Sequence, residues 1–170
     1  MCIRDRKKKE KTILIGVSYA LLDLISYKKF KLKNTIVMET GGMKGQRKEM
    51  VKSELHEKLK IGFGVSEIHS EYGMAELLSQ AYSKGEGIFE SPPWMKIVIR
   101  DINDAQNLHF NKKSGAINII DLANYNSCSF IATDDMGKSI NETEFEVIGR
   151  VDNSDAVSYT HLTLPTILRV

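Results

Sequence analysis

Four short segments combine carboxylates, glycines, an aromatic ring and an arginine beside predicted strands. They are ETGGMKG (Glu39 to Gly45), SEYGMAE (Ser70 to Glu76), ATDDMG (Ala132 to Gly137) and IGRVD (Ile148 to Asp152). Carboxylates can hold a metal ion or accept hydrogen bonds from hydroxyls, and glycines let a ligand approach the backbone. A guanidinium keeps its charge beside an anion. Because α/β proteins bind ligands where strands end, these segments are candidates for a ligand site, and the aromatic ring, glycine and carboxylate of the second are also the parts of a nucleotide site.

The second segment shows how two interpretations compete at one junction. Tyr72 could offer a flat face to a base or to the wall of an acyl pocket, and Gly73 could let the backbone approach phosphate. Glu76 falls in the first turn of a predicted helix, where N–H groups and a carboxylate together suit a metal–phosphate pair. In the alternative interpretation, Tyr72 is a packing residue, Gly73 forms a turn and Glu76 is an acid that complements the helix dipole. For Asp135 and Arg150 the corresponding alternative is a structural salt bridge.

Strand-like and helix-like patterns alternate three times in residues 7–90. This alternation predicts parallel strands joined by right-handed crossovers, with helices covering the sheet. Gly62 or Gly64 is expected to end the second helix. The predicted buried strands are residues 12–19, 34–40 and 66–73, and the predicted helices are residues 20–30, 48–64 and 74–81.

The pattern changes in residues 91–156, where strand-like runs follow one another without an intervening helix. Polar turns separate these runs, including residues 136–143, so we expect antiparallel pairing. The predicted fold class is therefore α/β, with parallel strand–helix units in residues 7–90 and a β-rich antiparallel subdomain in residues 91–156. The four predicted strands are residues 94–102, 115–122, 129–135 and 144–152.

The composition is that of an ordinary globular domain, with 42% hydrophobic and 27% charged residues. No apolar run reaches the roughly 20 residues of a membrane helix, and no signal peptide is visible. Two cysteines give no metal-binding spacing. We therefore expect a cytoplasmic protein without a membrane span. Cys128 lies in the run NSCSFIA, which leads into the predicted strand at residue 129 and is interpreted as strand around the cysteine, so a buried structural thiol is expected.

Both ends of the chain resemble translated adapter sequence, and we expect residues 1–6 and 157–170 to be foreign to the protein. The alternative is a native basic arm and a native final strand. The formal charge of +2 depends on these ends, since leaving out Arg4, Arg6, Arg169 and Asp5 leaves 21 basic and 21 acidic residues. The balance gives no reason to expect a nucleic acid partner.

In their order, spacing and placement, the four segments resemble the adenylate-forming enzyme superfamily, which activates carboxylic acids with ATP as acyl-adenylates. Residues 13–155 are most similar to acyl-protein synthetases of the bacterial fatty-acid reductase system. Phenylacetate–CoA ligases are the next most similar group. The resemblance implies part of the large domain of such an enzyme. It also implies ATP and Mg²⁺ as cofactors, a fatty acid substrate and a protein thiol as acyl acceptor.

The resemblance also implies a role for each matching residue. Two departures weaken the match locally: Met43 stands where Glu often follows the glycines, and Ala75 where Thr usually contacts the α-phosphate. Acyl-protein synthetases tolerate the second change. The implied roles are Gly41, Gly42 and Tyr72 for the adenine pocket, Gly73 for backbone approach to phosphate, Glu76 for magnesium, Asp135 for both ribose hydroxyls, Arg150 for ribose and phosphate, and Asp152 for the hinge.

Two elements of the family pattern are missing from this sequence. No phosphate loop rich in Ser, Thr and Gly precedes the segments, and no transfer element follows them. We therefore expect the middle-to-late part of a longer enzyme that is inactive by itself. Two alternatives stay open: an acid–thiol ligase that uses coenzyme A, and a non-catalytic nucleotide- or partner-binding module. An upstream phosphate loop and a downstream Cys or Lys would separate the three.

Overall fold

The computed structural model describes residues 11–42, 50–104, 106–109 and 114–150. Within them lie two helices, α1 and α2, and ten strands that join in one mixed sheet. The elements are β1 (Thr12–Val17), α1 (Ser18–Tyr27), β2 (Thr35–Thr40), α2 (Lys52–Phe63), β3 (Ile68–Tyr72), β4 (Ala81–Ser83), β5 (Ile88–Glu90), β6 (Met95–Arg100), β7 (Leu108–His109), β8 (Ser114–Asp121), β9 (Phe130–Ser139) and β10 (Glu144–Arg150).

The first three strands of the sheet are parallel, as the strand–helix alternation predicts. The sheet order is β1-β2-β3-β4-β5-β10-β9-β8-β6-β7, and β2 pairs in parallel with both β1 and β3. Both helices pack against this parallel part through one apolar cluster. Gly64 ends α2 in the left-handed conformation, with φ of 67°, as expected for a glycine after a helix. The buried members of the cluster are Leu21, Leu22, Val37, Leu55, Leu59, Phe63 and Ile68.

One face of β1 is open, so the prediction of a fully buried first strand is wrong. Ile13 and Ile15 are 58% and 56% exposed, whereas Leu14 between them packs against the cluster under the helices. Side chains alternate across a strand, and both helices lie on the Leu14 side. β1 also stands at the end of the sheet order. The apolar run therefore predicted the strand correctly but not its single covered face.

The third predicted helix is also wrong, because residues 73–80 form a loop that leads into β4. In a helix the amides of residues 78 and 79 would bond to carbonyls four residues earlier. Here the Leu78 amide donates to Asn124 Oδ1 at 2.8 Å and the Ser79 amide donates to Asp121 Oδ2 at 3.0 Å. Side chains at the end of β8 and just after it thus replace the helical acceptors, and β4 returns antiparallel to β3.

All strand pairs from β3–β4 to β6–β7 along the sheet order are antiparallel, as predicted for residues 91–156, whereas β4 and β5 lie in residues predicted as strand–helix units. The core of this antiparallel part contains Tyr72, Phe89, Phe145 and Ile117, with Met95, Ile99 and Ile119 from the same sheet. The prediction that β9 ends at Asp135 is wrong, because β9 continues to Ser139 and pairs there with β10. The Met136 to Ser139 part of the predicted turn is therefore strand, and the chain turns at residues 140–143.

Two further expectations meet the structure differently. Cys128 is exposed and precedes β9, so the predicted buried strand thiol is wrong. Its thiol donates to the Phe130 carbonyl at 3.1 Å. Neither helix in the described ranges is long and apolar enough to cross a bilayer. The proposed foreign ends (residues 1–6 and 157–170), Met43 and the hinge residue Asp152 lie outside the described residues.

Candidate functional site

Three of the residues singled out from the sequence meet in one place. The Tyr72 hydroxyl at the end of β3 donates to Asp135 Oδ2 at 2.8 Å. Arg150 stands directly opposite Asp135 in the β9–β10 ladder, and its Nε lies 3.7 Å from Asp135 Oδ1. The ion pair of the structural alternative is therefore present. The side chains of Asp135 and Arg150 are 21% and 47% exposed, so the pair is also open to solvent.

The Tyr72 ring belongs to the core, as the packing alternative predicted, and does not present an open flat face. It is 9% exposed and meets Phe89 and Phe145 edge to face, with ring centroids 5.9 Å and 5.6 Å away. Burial raises the pKa of Tyr72 well above its ordinary value, and the Asp135 charge adds to this. The hydroxyl therefore stays protonated, and Tyr72 holds Asp135 by donating a hydrogen bond.

The glycines expected to face a ligand lie at the same edge of the sheet. Thr40 pairs with Glu71 between β2 and β3, so Gly41 follows one strand where Tyr72 ends the next. Gly41 has a φ of 66°, a conformation that favours glycine. Among the described residues, nothing lies within 4 Å of a Cβ built on Gly42, whereas one built on Gly73 would meet the Gln80 side chain at 3.1 Å.

Glu76 lies in the loop after β3, with an exposed side chain. Its backbone carbonyl accepts a hydrogen bond from Asn124 Nδ2, so the loop is fixed while the carboxylate stays exposed. No group of three or more His, Cys, Asp or Glu side chains in the described part of the chain could hold a metal ion. A lone carboxylate nevertheless fits Mg²⁺, which proteins commonly hold by one or two carboxylates together with substrate phosphates and water.

A buried polar network fixes this loop and was not found from the sequence. Asp121 is fully buried and accepts from the Ser79 amide at 3.0 Å and the Ser79 hydroxyl at 2.8 Å. Trp94 Nε1 donates to the same hydroxyl at 2.8 Å. Asp and Asn after a strand commonly bind backbone groups, so Asp121 and Asn124 could have been suspected as loop anchors. Their partners could not have been identified, because they lie far away in sequence.

A second buried network lies under Gly41 and was also missed. Glu39 is 2% exposed, with Lys52 Nζ at 3.1 Å and His56 Nε2 at 3.5 Å from its Oε1. Burial alone would raise the pKa of Glu39, but the His56 hydrogen bond and the Lys52 charge outweigh burial and lower it to about 2. The Ser18 hydroxyl lies 3.1 Å from Glu39 Oε2 and 2.8 Å from the Gly41 carbonyl oxygen. The network therefore connects α2 to the glycine turn.

No protein-family profile and no curated protein sequence matches this chain. Solved structures do match, and each of the following three is matched by 82% of this chain. ATP-bound MatB from Rhodopseudomonas palustris matches with a TM-score of 0.62 and 15% identity over 31% of its own length. Coronafacic acid ligase from Pectobacterium brasiliense matches with a TM-score of 0.56 and 19% identity over 29% of its own length. O-succinylbenzoate coenzyme A synthetase from Bacillus subtilis, in complex with ATP and magnesium, matches with a TM-score of 0.57 and 20% identity over 32% of its own length.

This chain has the fold of part of an adenylate-forming enzyme. It spans about a third of the length of the structures that it matches. The predicted fold class, parallel strand–helix units followed by an antiparallel β-rich part, is confirmed. At 15–20% identity the likeness concerns the fold. The roles of individual residues depend on the geometry described above.

Proposed function

We propose that this chain belongs to an ATP-dependent acyl-activating enzyme, which forms an acyl-adenylate from a carboxylic acid and passes the acyl group to a thiol. The observation that carries the proposal is the hydrogen bond from Tyr72 to Asp135, with Arg150 opposite. It fixes a carboxylate beside a guanidinium at Tyr72, which ends β3 where Gly41 follows the neighbouring β2. A fold shared with ATP-bound enzymes supports the same conclusion.

Asp135 is proposed to accept hydrogen bonds from both ribose hydroxyls. An ionised carboxylate offers about four lone-pair sites, so the bond from Tyr72 leaves acceptor capacity for two more. Because Tyr72 is a buried donor, it holds the carboxylate in one orientation. Arg150 would contact the ribose and a phosphate, since its guanidinium fork suits such oxygens and keeps its charge. Tyr72 thus orients the ribose acid, instead of stacking on the base as the sequence suggested.

The glycines and Glu76 are proposed to contact the rest of the nucleotide. The backbone at Gly42 would lie against the adenine ring, and Gly73 is exposed beside Tyr72. Glu76 would hold Mg²⁺, with its loop anchored by Asn124. Bound Mg²⁺ would neutralise phosphate charge during the transfer. Asp152 is proposed as the hinge about which a C-terminal domain rotates.

The acid and the acceptor are further parts of the proposal. A fatty acid and a protein cysteine follow from the resemblance to acyl-protein synthetases, which also favours a cytoplasmic enzyme. Coenzyme A is the second candidate acceptor, because one structure with this fold is a coenzyme A synthetase. Because the chain spans about a third of such structures, we expect no activity from residues 1–170 alone.

The test is ATP–pyrophosphate exchange by the complete enzyme that contains this segment, with medium and long fatty acids. Glu76→Gln should reduce exchange by at least about 100-fold, since metal-assisted charge stabilisation is worth several kcal/mol. Glu67→Gln, an exposed glutamate before β3, is the matched control and should keep full exchange. Exchange within about twofold of wild type in Glu76→Gln would contradict the magnesium role. ATP binding without any exchange would favour the non-catalytic module.

A further inference from the structure

The strand that carries Asp135 contains a bulge at that position. Ala132 pairs with Asn118 of β8, and Met136 pairs with Ala116. Three residues of β9, from Thr133 to Asp135, therefore stand opposite the single residue Ile117. A bulge interrupts the ladder hydrogen bonds and redirects the side chains that it contains. The direction of the Asp135 carboxylate thus depends on how this bulge is held.

Side chains supply the hydrogen bonds of the bulge. The Thr133 hydroxyl donates to the Ile117 carbonyl at 2.8 Å, and the Asp135 amide lies 3.1 Å from the same hydroxyl, to which it donates. The Thr133 carbonyl accepts from Nη2 of Arg100 at 3.0 Å. Thr133 is 7% exposed and Arg100 is 8% exposed. A buried guanidinium on β6 therefore fixes the residue that caps the Asp135 amide.

Arg100 is expected to destabilise the fold at this buried position. Its Nη1 donates to the carbonyls of Asp101 at 2.9 Å and Ile102 at 3.2 Å. Its Nε is buried and has no hydrogen-bond partner within the described residues. A buried charge and an unsatisfied donor both destabilise a fold, and apolar residues of similar volume are often as stable or more so. An arginine here is therefore better explained by the carbonyl positions that it fixes than by stability.

We propose that Arg100 is a positioning residue for Asp135. By holding the Thr133 carbonyl, Arg100 fixes the bulge that directs Asp135 towards Tyr72 and Arg150. In the acyl-activating enzyme proposed above, on which this second step rests, Arg100 would thereby set the selectivity for ribonucleotides over deoxyribonucleotides. It acts on the ribose site from the interior of the sheet.

The first test reads the Tyr72 hydrogen bond directly and needs no nucleotide. Tyrosine labelled with ¹³C at Cζ gives a resonance for Tyr72, assigned with Tyr72→Phe, and Asp135→Ala gives its position without the bond. In Arg100→Met the resonance should move at least halfway to that position. Two controls should leave it in place: Lys96→Met removes an exposed cation from β6, and Ile99→Val loosens the core beside Arg100. A folded Arg100→Met with an unchanged Tyr72 resonance would overturn the proposal.

Two further variants keep the test decisive if Arg100→Met does not fold. Thr133→Val removes the hydroxyl at nearly constant volume and should move the Tyr72 resonance in the same direction. Thr133→Ser keeps the hydroxyl and should leave it in place. Equal resonances in the Val and Ser variants would overturn the proposal.

The second arm measures ribose selectivity in the complete enzyme. Arg100→Lys keeps the charge but not the planar fork, and should lower the preference for ATP over 2′-deoxy-ATP by roughly tenfold. The apparent KM for the fatty acid should stay the same. If Tyr72 responds but no variant of the enzyme binds nucleotide, the positioning role holds and the proposed function fails. Unchanged selectivity in a nucleotide-binding Arg100→Lys enzyme would overturn the selectivity role.

Discussion

Tyr72 donates a 2.8 Å hydrogen bond to Asp135 although β4, β5 and β10 stand between their strands in the sheet. The contact is possible because the sheet curls around a shared core, in which Phe89 of β5 and Phe145 of β10 pack on the Tyr72 ring. Residues 63 positions apart thus form one unit at the sheet edge. Their coupling gives the first prediction.

Tyr72→Phe should lower the free energy of unfolding by about 1.5–3 kcal/mol near pH 7, the range for a hydrogen bond to a charged group. The folded state raises the pKa of Tyr72, whereas an unfolded tyrosine ionises near about 10. The protonated Tyr72 hydroxyl therefore contributes its full share of the free energy of unfolding below pH of about 10, and this contribution is lost as the pH rises further. Urea unfolding between neutral and alkaline pH measures both effects.

The control for this prediction is Tyr82→Phe on β4, where the ring is 46% exposed. It should unfold like the wild type at every pH. If wild type and Tyr72→Phe lost stability in parallel at alkaline pH, the buried hydrogen bond to Asp135 would be absent in solution.

Glu39 should make the fold sensitive to acid. Its pKa lies at about 2 in the folded state against 4.5 as the ordinary value, so the folded state favours the ionised form. The associated stability is complete above pH of about 4.5 and falls away as the pH drops towards about 2. Glu39→Gln should remove on the order of 3 kcal/mol at neutral pH and flatten the acid limb of stability against pH.

Glu54→Gln is the matched control for Glu39. Glu54 is 56% exposed and pairs with Lys58 on the surface of α2, at 2.7 Å. Such pairs contribute about 0.5 kcal/mol or less, so the acid limb should be that of the wild type. An equally steep acid limb in Glu39→Gln would show that other groups cause the loss.

Asn124 should control the order of the loop that carries Glu76. Its Oδ1 accepts from the Leu78 amide, whereas its Nδ2 donates to the carbonyls of Glu76 and Cys128. Asn124→Ala should therefore speed hydrogen exchange at Leu78 and cost about 1–3 kcal/mol. Asn124→Asp keeps the acceptor but loses both donated bonds, so Leu78 should stay better protected than in Asn124→Ala while stability still falls. Equal protection in both variants would contradict this division of roles.

The sequence was most informative where a pattern repeats over a whole element. Apolar runs located β1 and β2, and four strand-like runs located β6, β8, β9 and β10, because a buried strand needs apolar residues in a fixed pattern. The short strands β4, β5 and β7 were not predicted. The segment from Met74 to Ala81 has helical spacing and still forms a loop and a strand. Its amides bond to Asp121 and Asn124, which lie more than 40 residues away in sequence, and no local pattern contains that information.

The site could be predicted only in part for the same reason. Asp135 and Arg150 were singled out through the resemblance of their segments to the adenylate-forming family, and the structure pairs them. Glu39 could have been flagged, since a carboxylate within an apolar strand must find partners when it is buried. The role of Tyr72 could not, because its ring and hydroxyl depend on β5, β9 and β10. Arg100 depends in the same way on the bulge of a neighbouring strand.

The central claim is that Asp135 is the ribose acid of an acyl-activating enzyme. It is tested by ATP–pyrophosphate exchange in the complete enzyme with ATP, 2′-deoxy-ATP and 3′-deoxy-ATP. We predict that the wild type prefers ATP by roughly tenfold or more, as expected for loss of a hydrogen bond to a charged group. Asp135→Ala should lose this preference while the KM for the fatty acid stays unchanged. An Asp135→Ala enzyme that discriminates among the three nucleotides as well as the wild type would contradict the account.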